Sequence, residues 1–100
     1  MTRKLYCGLD NDHYGGMTPI GTCIRDAWLF GILPETETCE NWDLGRLQLI
    51  QEQTRAEWDK YGCLPANLPE DLKQRHTEIH GRAIRKAKAQ GWDPANDYGE

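Results

Sequence analysis

No stretch of this 100-residue chain approaches the ~20 consecutive apolar residues that a membrane-spanning helix requires. The first ten residues, Met1 to Asp10, likewise lack the uninterrupted apolar region of about 7 to 15 residues that a secretory signal carries. A cytoplasmic chain with no membrane partner is therefore expected. Cysteine occurs four times, at positions 7, 23, 39 and 63, but the spacings of 16, 16 and 24 contain no Cys-x-x-Cys pair of the kind zinc ribbons use. In a reducing compartment all four are expected as thiols. No Gly-x-x-x-x-Gly-Lys pattern is present to cradle a nucleotide phosphate. Excess positive charge is lacking too: 12 Lys and Arg against 16 Asp and Glu give a formal net charge of -4. That balance repels a phosphate backbone at long range, so nucleic acid is not an expected partner.

What is present describes a small globular protein. With 38% hydrophobic and 28% charged residues the composition suggests neither disorder nor a fibrous repeat. The length has room for one core, residues 1 to 100 forming a single domain. The clearest signal is punctuation that recurs as Gly31-Ile32-Leu33-Pro34, Gly62-Cys63-Leu64-Pro65 and Gly91-Trp92-Asp93-Pro94. A glycine takes the left-handed conformation just past a helix, the apolar residue after it folds back on the last turn, and the proline cannot continue the helix. This pairs Ile32 with Ala27, Cys63 with Trp58 and Trp92 with Ala87.

The helix starts are as clear. Thr18 before Pro19 supplies an N-cap hydroxyl and a first helical residue that needs no N–H donor. Asp43 is the expected cap of a second helix, with Trp42 stapling onto Leu47, and Pro69 opens a third. The spacing of Ile20, Cys23, Ile24, Ala27 and Trp28 gives the first helix an apolar stripe, while Leu47, Ile50, Thr54, Trp58 and Tyr61 face inward on the second. The expected fold class is mainly all-α: a compact three-helix domain with helices over 19–31, 43–62 and 69–91. An extended arm and a polar loop fill 1–18, and a polar tail over 93–100 is expected to be disordered. The arm around residues 3–9 lacks a convincing strand partner. It packs on the helices, pairs with a short piece such as Glu37 to Cys39, or adds to a second copy as a homodimer.

Candidate chemistry concentrates in the segment Asp10-Asn11-Asp12-His13-Tyr14-Gly15-Gly16, followed by Thr18. Two carboxylates and an imidazole within four residues suit a divalent metal. The segment opens like a calcium loop but does not continue as one, since Tyr14 stands where another oxygen ligand belongs and Gly21 where a glutamate does. Leu9-Asp10-Asn11-Asp12 also resembles the nucleophile motif of haloacid-dehalogenase-like phosphatases over about six residues. That resemblance implies a parallel sheet with crossover helices, which this helical chain does not offer. Gly15 and Gly16 lead into Thr18 and Pro19, so the free N–H groups at the first turn of the first helix could receive a phosphate or carboxylate, opposed by Asp10 and Asp12. His76 and His80 stand four apart on the third helix, where a metal could bridge them. His-Thr-Glu-Ile-His resembles the zincin motif His-Glu-x-x-His, but Glu78 is displaced by one position, and no protease is inferred. The cysteines read as packing residues, with Glu37 and Glu40 disfavouring a Cys39 thiolate. Arg82, Arg85, Lys86 and Lys88 contrast with the acidic connector of Glu35, Glu37 and Glu40.

Two functional expectations result. The first is a small cytoplasmic interaction or regulatory module without catalytic activity or cofactor. It docks another protein through Asp10, Asp12, His13, Tyr14, Gly15, Gly16 and Thr18, the arm and the acidic connector. The second is a divalent-metal-binding protein, or metal-dependent enzyme, built on Asp10, Asp12 and His13 with His76 or His80.

Overall fold

The computed structural model describes residues 5–93, so the expected disordered tail beyond residue 93 lies outside the described residues, as do the first four positions. Three helices carry the fold: α1 (Pro19–Leu29), α2 (Leu44–Asp59) and α3 (Glu70–Ala89). Short 3-10 turns at Leu9–Asn11, His13–Gly15 and Pro65–Asn67 bend the connecting chain. The mainly helical class expected from the residue pattern is the one observed, and no helix among the described residues is long and apolar enough to cross a membrane.

Each helix is bounded by the chemistry its ends require. The Thr18 hydroxyl accepts from the Gly21 N–H at 3.0 Å, and the Asp43 carboxylate accepts from the Arg46 N–H at 2.8 Å, each satisfying an orphan donor of the first turn. α3 has no side-chain cap at Pro69 and relies on Glu70 and Asp71 in its positive first turn and Lys86 and Lys88 in its negative last one. At the other ends Gly31, Gly62 and Gly91 adopt φ of 73°, 63° and 97°. The Ile32, Cys63 and Trp92 N–H groups reach back to the Ala27, Trp58 and Ala87 carbonyls at 2.8, 3.0 and 3.0 Å. These are Schellman closures, which satisfy carbonyls the helix leaves over.

The N-terminal arm pairs within its own chain. Leu5 forms an antiparallel bridge with Asp43, Tyr6 exchanges backbone bonds with Asn41 and Trp42 at 2.8 Å each, and the Leu9 N–H donates to Thr38 O at 3.0 Å. The partner therefore runs through 38–43 rather than 37–39. Cys39 and Asn41 take φ of 61° and 66°, left-handed values that break a regular ladder and confine the pairing to one isolated bridge.

Two apolar clusters replace the single interior expected. The larger gathers Tyr6, Leu9, Ile24, Ala27, Cys39, Trp42, Leu47 and Ile50 between the arm, α1, the connector and α2. The smaller gathers Leu29, Leu68 and Ile79, with Phe30, Trp58, Tyr61 and Leu72 against them, between α1, the second connector and α3. Trp28 packs against both, and its Nε1–H donates to the Glu37 carbonyl at 2.9 Å, so the large ring is partly buried without stranding its polar edge. Across the surface, Glu35 accepts from Arg75 and Arg82 at 2.9 Å each, tying the acidic connector to α3. Part of the charge contrast between those two segments is thus answered inside the molecule.

Gly21, in the first turn of α1, crosses so close to the chain at Gly16 that a Cβ would overlap the Gly16 carbonyl and Cα. Both sides of that contact are backbone, which has no rotamer to relieve it. Although alanine gains about 1 kcal/mol of helix propensity over glycine, Gly21→Ala is expected to lower stability by about 2 kcal/mol or more through overpacking. A urea midpoint unchanged or raised in the variant contradicts this.

Candidate metal centre

The N-terminal loop, first in line from the residue pattern, is organised around Asp12. One carboxylate oxygen accepts from the Tyr6 hydroxyl at 2.6 Å and from the Thr18 hydroxyl at 2.5 Å, and the other accepts from the His13 N–H at 2.7 Å. Because Thr18 Oγ1 in turn accepts from Gly21, a relay of bonds runs from the arm to the first turn of α1. These three donors take up three of the roughly four acceptor sites of the carboxylate, which makes Asp12 a structural knot. Burial pushes the Asp12 carboxyl up, but the bonds from Thr18, Tyr6 and His13 outweigh it and hold the group below its ordinary value. The Tyr6 phenol is displaced far above its usual range by burial and by Asp12.

The other loop residues disperse. Asp10 points outward and accepts from the Lys86 ammonium at 2.6 Å, an exposed pair on α3. His13 is exposed, its ring 4.3 Å from that of Tyr14. Tyr14, Gly15 and Gly16 have φ of 49°, 71° and 99°, a left-handed turn that brings Gly15 against the Lys86 side chain. Among the described residues Asp10, Asp12 and His13 do not converge with His76 or His80 on a common point.

His76 and His80 do converge, but on a residue that the sequence pattern had not singled out. Asp26 of α1 joins them, and one donor atom from each of the three lies within 4.8 Å of the others, all three residues half-buried. The imidazole rings are 4.2 Å apart between centroids, as an i, i+4 pair on one helix face allows. Tetrahedral coordination at ~2.1 Å separates ligand atoms by roughly 3.4 Å, so rotations of the three side chains close the set around an ion. Outer contacts orient it: Trp58 Nε1–H donates to Asp26 Oδ2 at 3.1 Å and the Trp58 ring meets His76 edge-on at 5.9 Å. Such outer contacts hold metal ligands in position.

Comparison with protein-family models, with curated proteins and with solved structures returns no match. The site's own chemistry is what speaks for it.

That chemistry favours a cation. Burial raises the Asp26 carboxyl above its ordinary value, against the opposing effects of the Trp58 bond, His76 and Arg25. Burial, followed by His76 and Arg25, lowers the His80 imidazole below its own. A carboxylate that is costly to charge beside an imidazole kept neutral is a donor set short of positive charge at its centre. All four cysteines are free thiols; Cys23 and Cys63 line a pocket beside Asp26 and Trp58, while Cys39, fully buried, is pushed up to about 11 by burial and by Glu37. One signal could have pointed to Asp26. It lies in the last turn of α1, where the helix dipole disfavours an acid and no basic residue compensates.

Two outcomes are expected. Asp12 binds its proton more weakly folded than unfolded, so the stability it contributes is present above the unfolded value of 3.8 and lost as pH falls through the lower folded one. Asp12→Asn should be destabilised by about 2 kcal/mol at neutral pH through its mismatched donors and should flatten the acid limb of stability below pH ~4. A variant with the parent's acid limb removes Asp12 from that role. In metal-free buffer at neutral pH, Asp26→Asn should melt higher than the parent, because it removes a charge whose burial is unfavourable while Asn still accepts from Trp58. A lower melting temperature for that variant contradicts the account of Asp26.

Proposed function

We propose that this protein is a small cytoplasmic metal-binding regulatory module, in which one divalent ion held by Asp26, His76 and His80 clips α3 onto α1. The observation that carries the reading is the convergence of those three donor groups from two helices within 4.8 Å. Two imidazoles and a carboxylate suit Zn²⁺ best among common divalent ions, since a hard cation such as Ca²⁺ or Mg²⁺ prefers an all-oxygen shell. Three protein ligands leave a fourth position for water or for a donor of a partner protein. An apolar groove of about 640 Å³ between Leu5, Tyr6, Ile20 and Leu44 supports a protein partner, Leu5 and Leu44 being half-exposed at 50% and 56%. In this reading the ion sets the rigidity of the packing that presents such a surface.

The test is a zinc titration of tag-free protein followed by melting temperature and by calorimetry. Because an ion that binds only the folded chain must stabilise it, Zn²⁺ at a hundred times its Kd should add about 2.7 kcal/mol. That is a rise on the order of 10 °C for a domain of this size. His76→Ala, His80→Ala and Asp26→Asn should each abolish most of the rise, while His13→Ala and Asp10→Asn should keep it. A melting temperature indifferent to Zn²⁺, or a response lost in His13→Ala and kept in His80→Ala, defeats the proposal.

A further inference from the structure

One residue before Asp26, α1 buries a charge that the metal reading does not use. Arg25 is 3% exposed, yet its Nε and Nη1 have no hydrogen-bond partner among the described residues. Only Nη2 is engaged, through a long contact to Thr22 Oγ1 at 3.4 Å and a weak one to Met17 Sδ at 3.9 Å. Asp12 and Asp26 act on the guanidinium through space, but neither accepts a hydrogen bond from it. A guanidinium is charged at any physiological pH and presents a planar fork of donors. Leaving part of that fork buried and unpaired is strongly unfavourable unless an acceptor arrives.

A small cavity adjoins it. About 160 Å³ in volume, it lies under the loop, between α1 and α3. Its charged wall is formed by Arg25, Arg82 and Lys86 against the single carboxylate of Asp10, and its apolar wall includes Leu9, Trp28 and Ile79. Arg82 is paired with Glu35 and Lys86 with Asp10, so the positive charge left there without a hydrogen-bonded carboxylate is that of Arg25, and it selects an anion. A volume of that size suits a small ligand. The apolar wall disfavours an ion that is polar on every side. Gly15 lines the cavity, and at its left-handed neighbour Gly16 a Cβ would come within 3.1 Å of Arg25 Nη1, so the loop seats directly on the guanidinium.

We propose that this cavity is a binding site for a small monocarboxylate, whose oxygens take the unpaired Arg25 donors as the Gly15–Gly16 turn shifts and whose short apolar stem rests on Trp28 and Ile79. The site is separate from the metal centre and stands or falls without it. A carboxylate matches the fork bidentately, and the apolar stem distinguishes this ligand from inorganic phosphate.

The test uses the full chain in metal-free buffer, with propionate as probe and phosphate and chloride as controls at matched ionic strength. Binding is read from melting temperature and from the Arg25 Nε–H resonance. Propionate should raise the melting temperature saturably and move that resonance, while chloride does neither and phosphate binds at least several-fold more weakly. Arg25→Met, which keeps length and apolar bulk without the charge, should weaken propionate at least tenfold. Asp10→Asn, at an exposed position that leaves the core untouched, removes the opposing charge and frees Lys86, and should tighten propionate several-fold. Propionate acting no differently from chloride, phosphate binding more tightly than propionate, or an affinity unchanged or weakened in Asp10→Asn overturns the proposal, whether or not Arg25→Met folds.

Discussion

α1 is eleven residues long and is the helix that both α2 and α3 pack against, so the whole molecule depends on how that one short segment is enclosed. A helix so placed has little free surface. Ile24 and Ala27 are fully buried and Leu29 nearly so, Trp28 touches both apolar clusters, and even Arg25 is sealed. The enclosure explains why the ends of α1 are so heavily secured. Asp12 and Thr18 hold its first turn, Gly21 lets the loop cross at backbone distance, and the Gly31 closure returns Ile32 to Ala27. Loosening either end would open both clusters, because the residues that terminate the helix also border them.

Much of this architecture was legible in the residue pattern, because helix punctuation is local chemistry. Three glycines followed by apolar residues named the very carbonyl partners that the closures use, and Thr18 and Asp43 were readable as caps since a cap acts within three residues of itself. The arm's pairing was not legible, because Cys39 and Asn41 adopt left-handed backbone that neither residue type announces. Nor was the division of the interior into two clusters, which is set by where α3 lands on α1 and not by the stripe of either helix.

The candidate site was half legible for the same reason. His76 and His80 are related by helical spacing, which a sequence displays, whereas Asp26 stands 50 positions before the first of them and meets both across a helix crossing. The Asp10–His13 segment looked more promising because it crowds donors into a few residues. Its Asp12, however, gives its acceptor capacity to Tyr6, Thr18 and His13, and Asp10 turns to Lys86. Proximity in sequence brought donors together without leaving them available, and proximity in space brought a different third donor group to the two imidazoles.

Arg25 and Asp26 are consecutive, and consecutive helical residues project about 100° apart, which sets them toward different neighbours. Arg25 lies under the loop beside Arg82 and Lys86, while Asp26 faces Trp58 and the two imidazoles. The two places still share an electrostatic field, since the Arg25 charge is felt at both Asp26 and His80. A divalent ion at Asp26 adds positive charge next to a guanidinium whose fork is only partly paired, and the neighbouring carboxylate neutralises one charge of the sum. A monocarboxylate on Arg25 would offset one of the two positive charges that remain, so on that charge balance the ion and the anion would favour one another's binding, and linkage would make the effect reciprocal. A short helix packed between two others thus places its two adjacent charges in one electrostatic field, through which binding at either would influence the other.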